Sequence, residues 1–213
     1  MSKRSSLRAD HLRRALAQEA ARIMAEQGID DFLLAKRKAA ERLGAADIAA
    51  LPRNTEIEAA LAEYHRLFSG QTHRSTIKEL RQTALYTMEM FDGFQPKLVG
   101  PVLSGTASEH SEINLHLFAD RAESVALRLL ERNVPHQSAE RRLRYEANRI
   151  VGHPAFRFVA GDQPVDVVVF PVDGIRQAPS SPVDGKPMRR GDAREVRDLL
   201  LGAADVPGLP CGR

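Results

Sequence analysis

The sequence predicts an α+β protein: a helical amino-terminal region, then a small domain built on a mixed β-sheet flanked by helices. Two observations carry this. Apolar residues recur at helical spacing up to about residue 93 and fall into short strand-like runs after it. At 213 residues, 43% hydrophobic and 28% charged, the chain is long enough and apolar enough for a real core. That composition excludes a chain that is disordered throughout and a fibrous repeat, and no run of about 18 apolar residues is present to span a membrane. The expected division is 1–93 helical, 94–202 the sheet domain, and 203–213 a flexible tail.

In the first region Leu12, Leu16, Ala20, Ile23 and Met24 form one helical stripe that Gly28 ends. Asp31 caps a second helix through Phe32, Ala35, Ala39 and Leu43, stopped at Gly44, and Pro52 breaks the chain. Thr55 and Glu58 have capping-box spacing ahead of the stripe Ile57, Leu61, Tyr64 and Phe68, closed by Gly70. A fourth stripe runs Ile77, Leu80, Ala84, Met88, Phe91 to Gly93. Four such helices suggest a bundle or a long hairpin arm, with a surface for homo-oligomerisation.

Beyond residue 96, Lys97–Gly100, Ile113–Phe118, Phe156–Val159 and Val165–Phe170 read as strands, with Asp162 in a turn. Asp120 and Glu123 predict a second capping box opening a helix through Val125, Leu129 and Leu130. Residues 171–190, with Pro171, Pro179, Pro182 and Pro187, read as an irregular loop before a last helix over Ala193–Leu201.

Charge narrows the partners. Lys and Arg number 31 against 28 acids, a net charge of +3 with the signs interspersed, so no one-sided stripe for duplex DNA is evident. The single cysteine, Cys211, forms no intramolecular disulfide and no cysteine metal site. Met1-Ser2-Lys3-Arg4 passes straight into a charged helical pattern without an apolar segment, which predicts a cytoplasmic protein.

The chemistry concentrates between Leu98 and Leu115. There a strand ends at Gly100, a helical turn opens with Pro101, and Ser104, Gly105 and Thr106 lead through a polar loop to Ser111. Glycines at such a junction let backbone approach a phosphate. Glu112, Asn114 and His116 then alternate along a strand, so they project from one face.

This segment resembles the signature of the DNA polymerase beta-like nucleotidyltransferase superfamily: apolar strand, Gly-Ser, three residues, Gly, then a loop to Ser-Asp-x-Asp. Gly100 and Gly105 fall on the two glycines, Ser111 on the serine, Glu112 and Asn114 on the two carboxylates, and Asp166 on the third carboxylate of a later strand. The resemblance covers about residues 96–170. It implies a nucleotidyltransferase-like domain and transfer of a nucleotidyl group from a nucleoside triphosphate to an acceptor (a small molecule, RNA or protein). Mg²⁺ or Mn²⁺ is the implied cofactor, held by Glu112, Asn114 and Asp166, with Glu112 and Asp166 catalytic; paired hard cations stabilise both oxygens of an in-line displacement. Gly100, Ser104, Gly105, Thr106 and Ser111 are the implied triphosphate contacts.

Three departures set up a rival reading. Pro101 stands where the signature has serine, removing a hydroxyl and an N–H. Glu112 for aspartate displaces its carboxylate by about one C–C bond, ~1.5 Å, and about 1 Å is enough to cost on the order of 100-fold in rate. Asn114 for aspartate removes a charge. The alternative is therefore a catalytically inactive module of the same fold that binds nucleotide, RNA or a protein partner in a regulatory role. Elsewhere the plainer readings lead: His116 a hydrogen-bonded structural histidine, the cluster Arg141, Arg142, Arg144 and Arg149 a solvated face, and Lys186, Arg189 and Arg190 a surface loop.

Overall fold

A computed structural model describes residues 2–45, 51–68 and 70–202; the expected tail at 203–213 lies outside them. Helix α1 (Ser2–Gln27) ends at Gly28, whose φ of +62° favours glycine. A β-carbon there would lie 2.6 Å from His110 Cβ, so the corner after α1 rests directly on the sheet domain. Asp31 caps α2 (Phe32–Arg42) as expected, its Oδ1 accepting from the N–H of Leu33 at 2.7 Å and of Leu34 at 3.2 Å. Helix α3 (Asn54–Phe68) does not use the expected Thr55–Glu58 box. The helix starts earlier, and the Glu56 carboxylate accepts from the Arg53 N–H at 2.7 Å, leaving Glu58 free of cap duty. Gly70 opens α4 (Gly70–Met90) rather than merely closing α3.

The four stripes do not make one bundle. Leu16, Ala20, Ile23, Ala35, Ala39, Ile57 and Leu61 form a core among α1, α2 and α3. The stripe of α4, from Ile77 to Phe91, packs instead on the sheet in a second core. Each fully buried Leu or Ile in these cores contributes about 1.5–3 kcal/mol.

The five-stranded sheet has order β1-β2-β5-β4-β3, with β1 (Lys97–Val99), β2 (Ile113–Phe118), β3 (His136–Arg144), β4 (Ile150–Ala160) and β5 (Gln163–Phe170). Only β2 and β5 run parallel; the other neighbours are antiparallel. The sheet is mixed, and the protein is α+β. Helix α5 (Gly100–Ser104) follows β1, α6 (Ala122–Glu131) follows β2, and α7 (Ala193–Gly202) follows the loop after β5. Arg121 occupies the cap position of α6 without a side-chain bond, so the expected Asp120–Glu123 box is not made: the helix starts one residue too late for Asp120 to reach it. The arginines 141, 142 and 144 lie on β3, a strand with no counterpart in the sequence reading.

Strand alternation sorts the sheet into two faces. Ile113, Leu115, Leu117, Val165, Val167 and Val169 point into the core with α4. Register pairs Asn114 with Asp166, Asp166 with Arg157, and Arg141 with His153, which places the polar residues of four strands on the opposite face. Among the described residues, no helix is long and apolar enough to cross a membrane.

Candidate functional site

On that polar face the carboxylates and arginines interlock. Asp166, from the middle of β5, is 3% exposed. Its Oδ2 accepts from Arg141 Nε at 2.7 Å and its Oδ1 from Arg157 Nε at 3.2 Å. Arg141 Nη2 also lies 3.7 Å from Glu112 Oε2, so one guanidinium bridges the two carboxylates expected to hold metal. Asn114 Nδ2 donates to the Glu112 carbonyl at 3.1 Å. As arranged, these residues do not fit a divalent cation, because a fixed positive charge already answers Asp166 and Glu112. Among the described residues, no three His, Cys, Asp or Glu side chains group together as candidate metal ligands.

The glycine turn is well built. Gly100 has φ +72°, and a β-carbon on it would sit 3.5 Å from Asn114 Nδ2, so backbone and site side chain approach closely. Pro101 occupies the first turn of α5, where its missing N–H costs least. Gly105, at φ +85°, ends α5. The Ser104 and Thr106 hydroxyls lie 3.0 Å apart and hydrogen-bond to each other. Behind the turn, buried Arg81 of α4 donates from Nε to the Val102 carbonyl and from Nη2 to the Leu103 carbonyl, each at 3.1 Å. His73 Nε2 is 2.9 Å from the Gly105 carbonyl oxygen. Two long side chains from α4 thus answer the last carbonyls of a five-residue helix. Arg81 and His73 are absent from the sequence reading. Arg81 was findable, since it falls at the core-facing position four residues after Ile77 and three before Ala84.

Gly100, Ser104, Thr106, Glu112, Asn114 and Asp166 line one cavity of about 610 Å³. Gly105 and Ser111 are not in its lining. Ser111, 2% exposed, instead accepts from the Ser108 N–H at 3.0 Å and donates to Asp30 Oδ1 at 3.4 Å. The helical region supplies the facing wall through Asp30, Phe32, Glu58 and Leu61. The loop after β5 closes a side with Pro182, Asp184, Met188 and Arg189, tied to α3 by Asn54 Nδ2 donating to the Pro182 carbonyl at 2.7 Å.

Burial pushes the Asp30 carboxyl above its ordinary range, opposed by the Ser111 hydroxyl and reinforced by the nearby Glu112 charge. Burial and Asp184 push Glu58 the same way. His116 is 3% exposed and lines the cavity. Its Nδ1 accepts from Arg190 Nε at 3.0 Å, bearing out a hydrogen-bonded histidine. Burial, with Arg190 and His153 adding, holds the imidazole neutral well below its usual titration. Arg190 itself is no surface loop residue. Its guanidinium lies over the rings of Phe118 at 5.0 Å and Phe170 at 4.8 Å, and donates to the carbonyls of Gly174 and Ile175.

Comparison of the chain with protein-family models, curated proteins and solved structures finds no match.

Proposed function

We propose that the chain is a nucleotidyltransferase-like module that binds a small organic ligand without metal-dependent group transfer. The resemblance in the Gly100–Asn114 segment supports the first half. So does the pairing of Asn114 on β2 with Asp166 on the parallel β5, beside a strand-glycine-helix turn. The second half rests on Arg141: its guanidinium, 2.7 Å from Asp166 and 3.7 Å from Glu112, supplies internally the positive charge that a catalytic metal brings. Pro101 and Asn114 remove a phosphate donor and a carboxylate from the same place, so three changes agree in direction. A cavity of about 610 Å³ suits a ligand of nucleoside size.

The opposing reading, an active transferase in which metal displaces Arg141, is favoured by Glu112, Asn114 and Asp166 lining one cavity. Incubation with each ribonucleoside triphosphate, Mg²⁺ or Mn²⁺ and cell extract separates the two. The expected result is no pyrophosphate release above that of Asp166→Ala. Release that disappears in Asp166→Ala establishes the transferase instead.

A further inference from the structure

We infer that the protein holds a second ligand site, where the β3–β4 connection meets the turn after β5, that takes a small organic oxyanion, a carboxylate or a phosphate, on the guanidiniums of Arg149 and Arg176. The pocket there has a volume of about 390 Å³ and shares no lining residue with the larger cavity. Its two guanidiniums come from separate elements. Arg149 immediately precedes β4, and Arg176 ends the short 3₁₀ helix Val172–Arg176 that follows β5. Among the described residues neither side chain makes an ion pair or a hydrogen bond; Arg149 covers the Tyr145 ring, its Cζ 5.0 Å from the centroid. Among the described residues Asp173 is the one acid in the lining.

Arg190 is the independent second observation, a third positive charge set behind the pocket wall. Its Nη1 donates to the carbonyl of Gly174 and its guanidinium lies over the ring of Phe170, both lining residues. Its Nη2 is buried and makes no hydrogen bond among the described residues. No carboxylate there pairs with it. Two of the three guanidiniums act on one spot. Burial, and then Arg190 and Arg149, hold His153 below its ordinary range against a bond to the Val169 backbone. The same two arginines oppose the rise that burial imposes on the Tyr145 hydroxyl. Their fields therefore meet at the buried Tyr145–His153 pair in the pocket wall, and the charge left for a ligand to answer is positive. Such a field attracts an anion and repels an amine.

The donors select the ligand's charged group. Tyr145 Oη and His153 Nε2 are already bonded to each other at 2.8 Å, which leaves the charged forks of Arg149 and Arg176 as the strongest donors facing the space. A planar guanidinium presents parallel N–H groups that match two oxygens of one carboxylate or phosphate. Val151 and Pro171 line the same pocket and give a short carbon skeleton an apolar wall. A volume of about 390 Å³ lies toward the small end of organic-ligand sites, roughly 300–1,000 Å³.

The test is calorimetry on the full chain with phenyl phosphate, benzoate, benzamide and benzylamine, four probes built on one ring. At least one of the two anions is expected to bind about tenfold or more tightly than the amide and the amine, and the tighter of the two tells phosphate from carboxylate. That preference is expected to shrink to within about twofold in Arg149→Gln/Arg176→Gln, a variant at two exposed positions whose thermal midpoint confirms folding. It is expected to persist in Arg66→Gln/Arg132→Gln, which removes the same charge from exposed positions outside the pocket. Anions bound no more tightly than the amide or the amine overturn the inference. So does a preference that survives the first double variant, or one that the second abolishes equally.

Discussion

Arg141 Nε donates to Asp166 Oδ2 at 2.7 Å across two strand pairings, from the edge strand β3 through β4 to the buried strand β5. A carboxylate 3% exposed in the middle of a sheet must be answered by a cation or take up a proton. Here the chain answers it from within, with Arg157 at 3.2 Å on the second oxygen. The Asp166 charge is thereby answered from within the chain.

Arg141→Ala breaks that arrangement. The expected loss is about 2 kcal/mol of unfolding free energy, since one bond of a buried charge goes while Arg157 remains. Arg157→Ala loses less, its bond being longer and its side chain 44% exposed. With that guanidinium gone, Glu112 loses its cation and Asp166 keeps only Arg157, so millimolar Mg²⁺ is expected to raise the thermal midpoint of Arg141→Ala but not of the parent. A parent stabilised equally by Mg²⁺ would sink the role assigned to Arg141.

Arg190→Gln tests the tautomer. The His116 ring is expected to show a protonated Nε2 and a bare Nδ1 by nitrogen NMR in the parent, because Arg190 donates to Nδ1. Replacing the guanidinium removes that constraint and its stacking on Phe118 and Phe170. The expected result is a mixed tautomer signal and a stability loss of about 1–3 kcal/mol. An unchanged Nε2–H signal in Arg190→Gln would show that another group fixes the ring.

Much of the fold was legible because the informative residues carry a clear period. Ile113, Leu115 and Leu117 alternate with Glu112, Asn114 and His116, which fixes both the strand and the shared polar face. The strand β3 was not legible: at the sheet edge it exposes both faces, so Arg141, Arg142 and Glu140 show no period. The α4 stripe was visible, but a stripe of Ile77, Leu80 and Ala84 fits a sheet as well as a helix bundle, and only long-range packing decides. The same limit hid the site's main contact, since Arg141 reaches Asp166 only through the register of three strands. Glu58 was assigned to a cap that Glu56 actually makes, which concealed its place in the cavity wall.

Stability should fall in mild acid. Burial, and then the neighbouring His73, lower the titration of His65 to about 4. Burial lowers His116 and His153 as well. A histidine whose folded value is depressed binds its proton more readily when unfolded. Its full contribution is present above about pH 6.5 and is lost as pH falls from there toward the folded value. Each contributes a slope of at most about 1.4 kcal/mol per pH unit. Asp30 and Glu58, raised by burial, act in the opposite sense. His65→Gln separates the two effects: denaturant unfolding at pH 7 and pH 5 should show a smaller drop in the variant than in the parent. Equal drops would place the acid sensitivity elsewhere.

Two glycines with nearly the same backbone isolate the docking of the helical region on the sheet domain. Gly28 has φ +62° and Gly44 φ +61°, so alanine at either carries a similar left-handed strain, about 1 kcal/mol. Among the described residues, an added β-carbon at Gly44 meets nothing within 4 Å. At Gly28 it meets His110 Cβ at 2.6 Å, so the corner or the loop bearing Ser111 must shift. That shift moves Asp30, whose Oδ1 accepts from Ser111, and with it one wall of the cavity. Gly28→Ala is therefore expected to cost at least about 1–2 kcal/mol more than Gly44→Ala and to weaken ligand binding, while Gly44→Ala leaves binding unchanged. Equal costs in denaturant unfolding would mean that the corner after α1 does not press on the sheet domain in solution.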